Sequence, residues 1–347
     1  MSLFLATGFD NALYDHRFNV VGSIASTGRF GRGRYARFAN GDHYCTLPLQ
    51  PGEEYHSWVI GYSCRESTSP YTNLSYSSSF LELYGDGGQR HLYIYWTSLA
   101  NNHYAIRVLH GDGSTVLATS APIPLVYGVW RYMEFKFTID DAAGAVEVLR
   151  DGVSLINITG VDTRNGGSTP NIHNIQFGQN AENNIGSLDD VYVLKNDGSG
   201  LTDYLGEVEV EGIYPNGNGF HSEQTGSDAD QTDNYLQVDD NTGVNDGDYN
   251  ESSTNGHRDT YAMSEIIRTN ASVDGVILAH RSRKSDTNPK SVRRILRHSG
   301  TDNVGADVPM PSSFLWTHEV FEQNPVTATS WTVSDVNNLE MGTEVRP

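Results

Sequence analysis

The sequence predicts an all-β protein built from antiparallel sheets. Three observations carry that expectation. Residues 133–139 read Met-Glu-Phe-Lys-Phe-Thr-Ile, apolar at every second place, which is the pattern of a half-buried strand. Turn dipeptides punctuate the chain, Asp-Gly at 86, 112, 151, 197, 246 and 274 and Asn-Gly at 40, 165, 216, 218 and 255, and such pairs accept the positive φ that tight hairpins need. No segment sustains a helical period, and regularly spaced short strands of this kind suggest a sandwich.

The elements follow in order. Strands are expected at Tyr55 to Tyr62, His91 to Trp96 and Ala105 to Leu109. After 133–139, Val146 and Val148 flank Glu147, and Asp151-Gly152 turns directly into Val153-Ser154-Leu155, the strongest hairpin signal in the chain. Leu188 to Leu194 reads as a closing strand. Cys45 and Cys64 both fall in strand-like segments and are expected as buried thiols rather than a disulfide; two cysteines are too few for a structural zinc site.

Asn196 to Gly200 is a polar, turn-forming stretch, which places a boundary there and gives domains over 1–197 and 198–347. Charge shifts at the same point. Residues 1–200 hold 13 basic and 19 acidic groups, net −6, and residues 201–347 hold 10 and 24, net −14. Glu207, Glu209 and Glu211 alternate with Val208 and Val210, as on the solvated side of a strand. Residues 215–258 are rich in Asn, Asp, Gly, Ser and Thr and read as long loops around one or two short strands, or as an arm that orders on a partner. Against the acids of 201–260 stands a basic block of Arg281, Arg283, Lys284, Lys290, Arg293, Arg294 and Arg297. It is either a solvated hairpin or a patch that docks on an acidic neighbour, such as the acidic stretch of another copy.

The net charge of −20 repels nucleic-acid phosphates, so broad nucleic-acid binding is not expected. No run of about 18 apolar residues marks a membrane span, and the opening MSLFLATGFDN lacks a basic n-region, so no secretion signal is expected. GxSxG, HExxH, GxxxxGK and a GxGxxG opening a helix are all absent. Gly31-Arg32-Gly33 sits among Arg29, Arg34 and Arg37 in what reads as a loop entering a strand, and the 12 histidines show no i, i+4 pairing. Among paired carboxylates Asp189-Asp190 is the best, but neighbours in a regular strand face opposite ways and cannot form a dyad. Asp228, Asp230 and Asp233, or Asp240, Asp246 and Asp248, offer oxygens to calcium without the spacing of a known calcium loop. No catalytic, cofactor or metal residue is therefore assigned, calcium being the one ion the oxygen-rich runs could take. Tyr71, Tyr76, Tyr93, Tyr95, Trp96 and Tyr104 are candidates for a sugar platform, with their exposure undetermined by sequence.

Three stretches together resemble the concanavalin A-like, laminin-G-like jelly-roll domains. Gly128-Val129-Trp130-Arg131-Tyr132-Met133-Glu134 is similar to the G-x-W-H/R-Y-x-E strand of those domains. Gly144 to Val148 with Asp151-Gly152-Val153 is similar to their G-x-V-x-V-x-x-D-G hairpin, and Leu188-Asp189-Asp190-Val191-Tyr192-Val193 to their closing I-D-D-v-Y-v strand. The likeness covers roughly residues 1–197 and implies a jelly-roll sandwich followed by a second, smaller β-domain with long loops. The glycanase branch of that fold carries an E-x-D-x-x-E strand; here Ser187 and Tyr192 stand where carboxylates would flank Asp189, so no hydrolase is expected.

A narrower resemblance is to a group of tailed-bacteriophage virion proteins. It rests on Asp162 to Gly167, on Tyr204-Leu205-Gly206-Glu207-Val208, on Asn324-Pro325-Val326-Thr327 with Trp331-Thr332, and on Val336-Asn337-Asn338-Leu339-Glu340-Met341-Gly342. It implies a non-enzymatic part of the particle, assembled in the host cytoplasm and displayed on the tail or the capsid surface, with the tail slightly favoured. Its partners would be other virion proteins (a tail or major capsid protein), further copies of itself, and a host surface glycan. The alternative is a free-standing carbohydrate-binding lectin or adhesin.

Overall fold

A computed structural model describes residues 2–9, 17–26, 28–30, 34–37, 44–66, 77–179, 185–201, 203–240 and 244–347. It is almost wholly β, with antiparallel pairing throughout. The first sixteen strands are β1 (Ser2–Thr7), β2 (Asn19–Val21), β3 (Ser23–Ser26), β4 (Arg34–Arg37), β5 (Tyr44–Pro48), β6 (Ser57–Glu66), β7 (Ser77–Tyr84) and β8 (Arg90–Leu99), then β9 (His103–His110), β10 (Val116–Thr119), β11 (Ile123–Pro124), β12 (Trp130–Thr138), β13 (Gly144–Arg150), β14 (Val153–Val161), β15 (Asn174–Gln179) and β16 (Ile185–Lys195). They form two sheets. The first runs β14-β13-β12-β6-β16-β4-β3 with β1 also on β16, and the second runs β10-β9-β8-β7-β15-β5-β2 with β11 also on β9. This is the jelly-roll-like sandwich that the sequence resemblance implies.

Alternation explains the core. Ile60, Tyr62, Phe135, Phe137, Val146, Val148 and Val193 from the first sheet meet Leu81, Leu83, Leu92, Ile94, Ile106, Val108, Ile175 and Phe177 from the second in one buried cluster. Tyr62 stacks on Phe135 at 5.5 Å, and its hydroxyl donates to the Phe80 carbonyl at 2.8 Å, bonding one sheet to the other. At the β13–β14 hairpin Arg150 pairs Val153, leaving Asp151 and Gly152 as a two-residue turn with φ of 50° and 75°. The Asp151 carboxylate accepts from the Tyr132 amide, so the turn is also tied to the neighbouring strand. Cys45 and Cys64 are buried free thiols.

Two compact units divide at Val210 and Glu211, later than the boundary expected at 197. The reason is that the Glu207–Glu211 segment is not a strand. Its alternation finds no partner strand, and its polar groups bond instead to side chains of the sandwich.

The second unit holds β17 (Pro215–Ser222), β18 (Thr225–Gly226), β19 (Asn250–Glu251), β20 (Arg258–Met263), β21 (Val276–Ser282), β22 (Ser291–His298), β23 (Thr301–Val304), β24 (Val308–Pro309), β25 (Leu315–Phe321) and β26 (Glu340–Arg346), with one short helix, α1 (Val333–Asn337). Its main sheet runs β17-β20-β26-β22-β23, with β24 on β22, beside a β21–β25 pair and a β18–β19 pair. A small core gathers Val276, Leu278, Leu296, Trp331, Val336, Leu339 and Met341. Thr332 and Asp335 form a capping box that starts α1, and Trp331 Nε1 donates to the Phe321 carbonyl at 2.8 Å. So the tail motif Trp331-Thr332…Val336…Leu339 supplies the core and the cap of this unit.

The described parts of the 215–258 region, 215–240 and 244–258, are held around polar groups. Asp259, wholly buried, accepts from the Glu223 and Gln224 amides (2.7 and 2.8 Å), from Asn234 Nδ2 (2.6 Å) and from the Tyr261 hydroxyl (3.2 Å). Asn234, itself buried, also donates to the Gln224 carbonyl. A loop too polar to collapse is thus pinned by satisfied buried hydrogen bonds.

Candidate functional site

The outer face of the second sheet brings aromatic and polar side chains together. In β8, Leu92, Ile94 and Trp96 point to the core, which leaves Tyr93, half-buried, and Tyr95, 8% exposed, on the other side of the strand. Their rings stack at 4.8 Å and 10°. Cross-strand pairing sets Glu82 beside Tyr93, Gln176 beside Glu82, Thr46 beside Gln176, and Arg107 beside Tyr95. A register shift between Leu83 and Tyr84 brings Arg90 opposite Tyr84, where its guanidinium lies over the Tyr93 ring at 4.7 Å.

Glu82 anchors this face. It is 1% exposed and accepts from the Tyr84 hydroxyl (2.7 Å), Arg90 Nη1 (3.0 Å) and Gln176 Nε2 (3.4 Å). Burial, with the Glu82 carboxylate beside it, pushes the Tyr84 phenol well above its ordinary range, so it stays a hydrogen-bond donor at neutral pH. Several buried polar atoms here have no partner within the chain: Arg90 Nε, Arg107 Nε and Asn174 Oδ1, with Ser79 Oγ at the position paired with Tyr95. Other such atoms lie elsewhere in the chain, on Ser63, His91, Arg131, Glu209, Asn234, Asn250 and Arg346; those of Arg90 and Arg107 are the ones beside the aromatic stack.

Among the aromatic candidates, Tyr93 and Tyr95 are on this face, Trp96 and Tyr104 are in the core, and Tyr71 and Tyr76 lie outside the described residues. Glu82, Arg90, Arg107 and Gln176 were not anticipated. The alternation Leu92-Tyr93-Ile94-Tyr95-Trp96 and the lone charge of Arg107 between Ile106 and Val108 were the available signals.

The outer face of the first sheet is organised differently. Asp190 has φ 51° at a bulge between Asp189 and Tyr192. That break in the two-residue period turns Asp189 and Asp190 towards one residue, which corrects the expectation that they must diverge. Asp189 Oδ2 accepts from the Arg29 amide at 2.9 Å and Asp190 Oδ2 from Arg29 Nη1 at 3.4 Å. Arg29 also reaches Glu207 and the Val208 carbonyl. Asp190 Oδ1 accepts from the Val210 amide, and buried Glu134 accepts from the Tyr192 hydroxyl and the Gly206 amide. Burial raises Asp190 to about 6 and raises Glu134. Here the carboxylates fasten the 206–210 segment to the sandwich and are closed to a substrate.

The basic block of the second unit does not form one patch. Arg281 pairs Asp246 in a two-pronged contact (2.8 and 2.7 Å), Arg293 pairs Asp307, Arg294 pairs Glu319 (3.5 Å), and Arg297 pairs Asp302 (2.6 Å). The acids are those of the same chain. Arg283 lies over the Phe314 ring, Lys284 Nζ donates to the Asn288 carbonyl and Lys290 Nζ to Asn255 Oδ1. The proposed calcium ligands are likewise engaged separately: Asp246 by Arg281, Asp248 by Asn245, Asp228 by Gln237 and Asp233 by Asn218. Among the described residues no three His, Cys, Asp or Glu side chains converge to hold a metal ion, and no helix is long and apolar enough to cross a membrane.

No family model and no curated protein matches the chain. Solved structures do. The alginate lyase Aly36B is similar at 12% identity and a TM-score of 0.40, over 55% of this chain and 96% of that one. An endo-β-1,4-glucuronan lyase from the fungus Trichoderma reesei is similar at 13% and 0.38, over 55% and 95%. The carbohydrate-recognition domain of Emp46p, in its potassium-bound form, is similar at 13% and 0.37, over 52% and 89%. The likeness is one of fold.

Proposed function

We propose that this chain is a non-enzymatic surface component of a tailed-phage particle, on the tail in preference to the capsid shell, whose N-terminal sandwich contacts a glycan through the outer face of its second sheet. The observation that carries the glycan contact is the Tyr93–Tyr95 stack with the Arg90 and Arg107 guanidinium groups beside it. A sugar ring offers C–H surface to an aromatic and hydroxyls to nearby donors and acceptors, and this face supplies both. The virion setting is supported by the sequence resemblance, which spans both units.

Binding without catalysis is supported by the state of the candidate groups. Glu82 is the carboxylate of this face and is engaged by three donors, Tyr84 is held protonated, and Asp189, Asp190 and Glu134 serve the covering segment. A glycosidase needs two carboxyl groups about 5 to 10 Å apart across an open groove.

The test is a glycan screen with the full chain and its Tyr93→Ala variant, monitored for both binding and chain cleavage. Saturable binding that the variant loses, with no new ends produced, is the expected result; cleavage would replace this reading with an enzyme. Antibody labelling of intact particles separates the locations, since a tail part is present in few copies and a capsid decoration over the whole shell.

A further inference from the structure

Arg107 lies on β9, one strand in from the β10 edge of the second sheet, opposite Tyr95 of β8 on one side and Thr119 of β10 on the other. It is half-buried, and among the described residues it forms no ion pair or hydrogen bond and its buried Nε has no partner. Elsewhere in the sandwich the arginines Arg17, Arg29, Arg90, Arg131, Arg150 and Arg164 each meet a carboxylate. The carboxylate of this face, Glu82, is already matched by Arg90. The outer face therefore holds two guanidinium groups against one carboxylate, and the surplus charge sits beside the tyrosine stack.

We infer that the glycan bound here is acidic, and that Arg107 takes the carboxylate of a uronic-acid-type sugar. This rests on the glycan reading above. A partly desolvated guanidinium without a counter-charge is costly to keep, and an anion with two oxygens in a plane matches its fork of donors. The Tyr93–Tyr95 stack lies next to it, so a ring held at the stack presents its carboxylate within the reach of one arginine. The protein's overall charge sharpens the point. At net −20 the chain repels an acidic polymer at long range, so selection has to come from a local contact of this kind.

The experiment titrates galacturonate oligomers, galactose oligomers and a sulfated galactan into the full chain and into Arg107→Gln, Arg107→Lys and Tyr93→Ala. The acidic oligomer is expected to bind the parent chain and to lose about tenfold or more in Arg107→Gln, the worth of a charge-assisted hydrogen bond. Arg107→Lys should retain part of that affinity. Arg107→Gln should also unfold near the denaturant concentration of the parent, because no ion pair or hydrogen bond to a described residue is lost; an arginine paired within the fold would not behave so. Equal binding of neutral and acidic oligomers, unchanged in Arg107→Gln, overturns the acidic ligand and leaves the glycan face standing. Binding of the sulfated polymer alone overturns the carboxylate. Binding of none of the three, followed by failure of a wider glycan screen, overturns the face itself and this inference with it.

Discussion

The two outer faces of the sandwich bury similar chemistry to opposite ends. On the first sheet Arg29, Asp189, Asp190, Glu134 and Tyr192 are closed over by residues 204–210, and each of these charged groups has a partner in the chain. On the second sheet Arg107 forms no ion pair or hydrogen bond among the described residues, while single unmet atoms occur on strands of both sheets, Ser63 Oγ and Arg131 Nε on the first and Arg90 Nε and Asn174 Oδ1 on the second. Buried charge that is paired serves the fold, and Arg107 beside the tyrosine stack is the exception on which the acidic-glycan inference rests. The second unit belongs with the first kind, since Asp259 is satisfied from four sides by its own loop.

The largest expected effect breaks the closed face. Arg29→Met leaves Asp190 buried without its cation, and removal of one partner of a buried pair costs about 3 to 5 kcal/mol. Denaturant unfolding at pH 8 should show that loss in the sandwich, while Arg107→Gln shows almost none. Equal losses would mean that the two faces are built alike. Next comes Asp259→Ala, which strands the Gln224 amide and takes one partner each from the Glu223 amide, Asn234 and Tyr261 in the second unit, and is expected to cost about 3 kcal/mol. Limited proteolysis checks it: the 215–258 region should become cleavable while the sandwich stays intact.

How far such contrasts are written in the sequence depends on periodicity. The sandwich core was legible because residues 133–139 and Asp151-Gly152 obey simple rules, alternation in one and a turn with positive φ in the other. Asp190 was not, because its left-handed backbone breaks the alternation on which the opposite-face argument depended. Glu207 to Glu211 misled for the reverse reason: the pattern is strand-like, but a strand needs a neighbour, and none pairs with it. The basic block of 281–297 was visible as composition, but its pairing with Asp246, Asp302, Asp307 and Glu319 depends on contacts that bring three different elements and loops together. Alternation alone could have set Tyr93 with Tyr95 and Arg107 apart from Ile106 and Val108; that Tyr95 and Arg107 are neighbours required the β8–β9 register.

A smaller effect is the pH response of the closed face. Burial raises Asp190 from 3.8 to about 6, so the folded state holds its proton more tightly than the unfolded chain does. That contribution to stability is full below the unfolded value and is lost as pH rises through about 6, a span worth about 3 kcal/mol at most. Glu134, raised by burial as well, acts in the same direction. Asp190→Asn should therefore flatten the stability profile between about pH 4 and pH 7 relative to the parent. A parent sandwich that gains stability over that range, with the variant unchanged beside it, would show that Arg29 outweighs burial at this site.

The smallest effect concerns the charges of the second unit. Arg281 and Asp246 pair at the surface with about a quarter and a half of their side chains exposed, and such pairs are worth about 0.2 to 1 kcal/mol, less in high salt. A double-mutant cycle on these two residues should fall in that range. Their pairing also redirects the search for an assembly contact. Arg281, Arg293, Arg294 and Arg297 are already neutralised within the unit, whereas Arg283, Lys284 and Lys290 meet a ring, a carbonyl and an amide in place of a carboxylate. If copies of the chain associate through this region, light scattering should find a complex that weakens with salt, survives Arg281→Ala and is lost when Arg283, Lys284 and Lys290 are replaced together. Loss in Arg281→Ala alone would mean that the Asp246 pair opens on assembly, and that the internal pairing is a resting state of the docking surface.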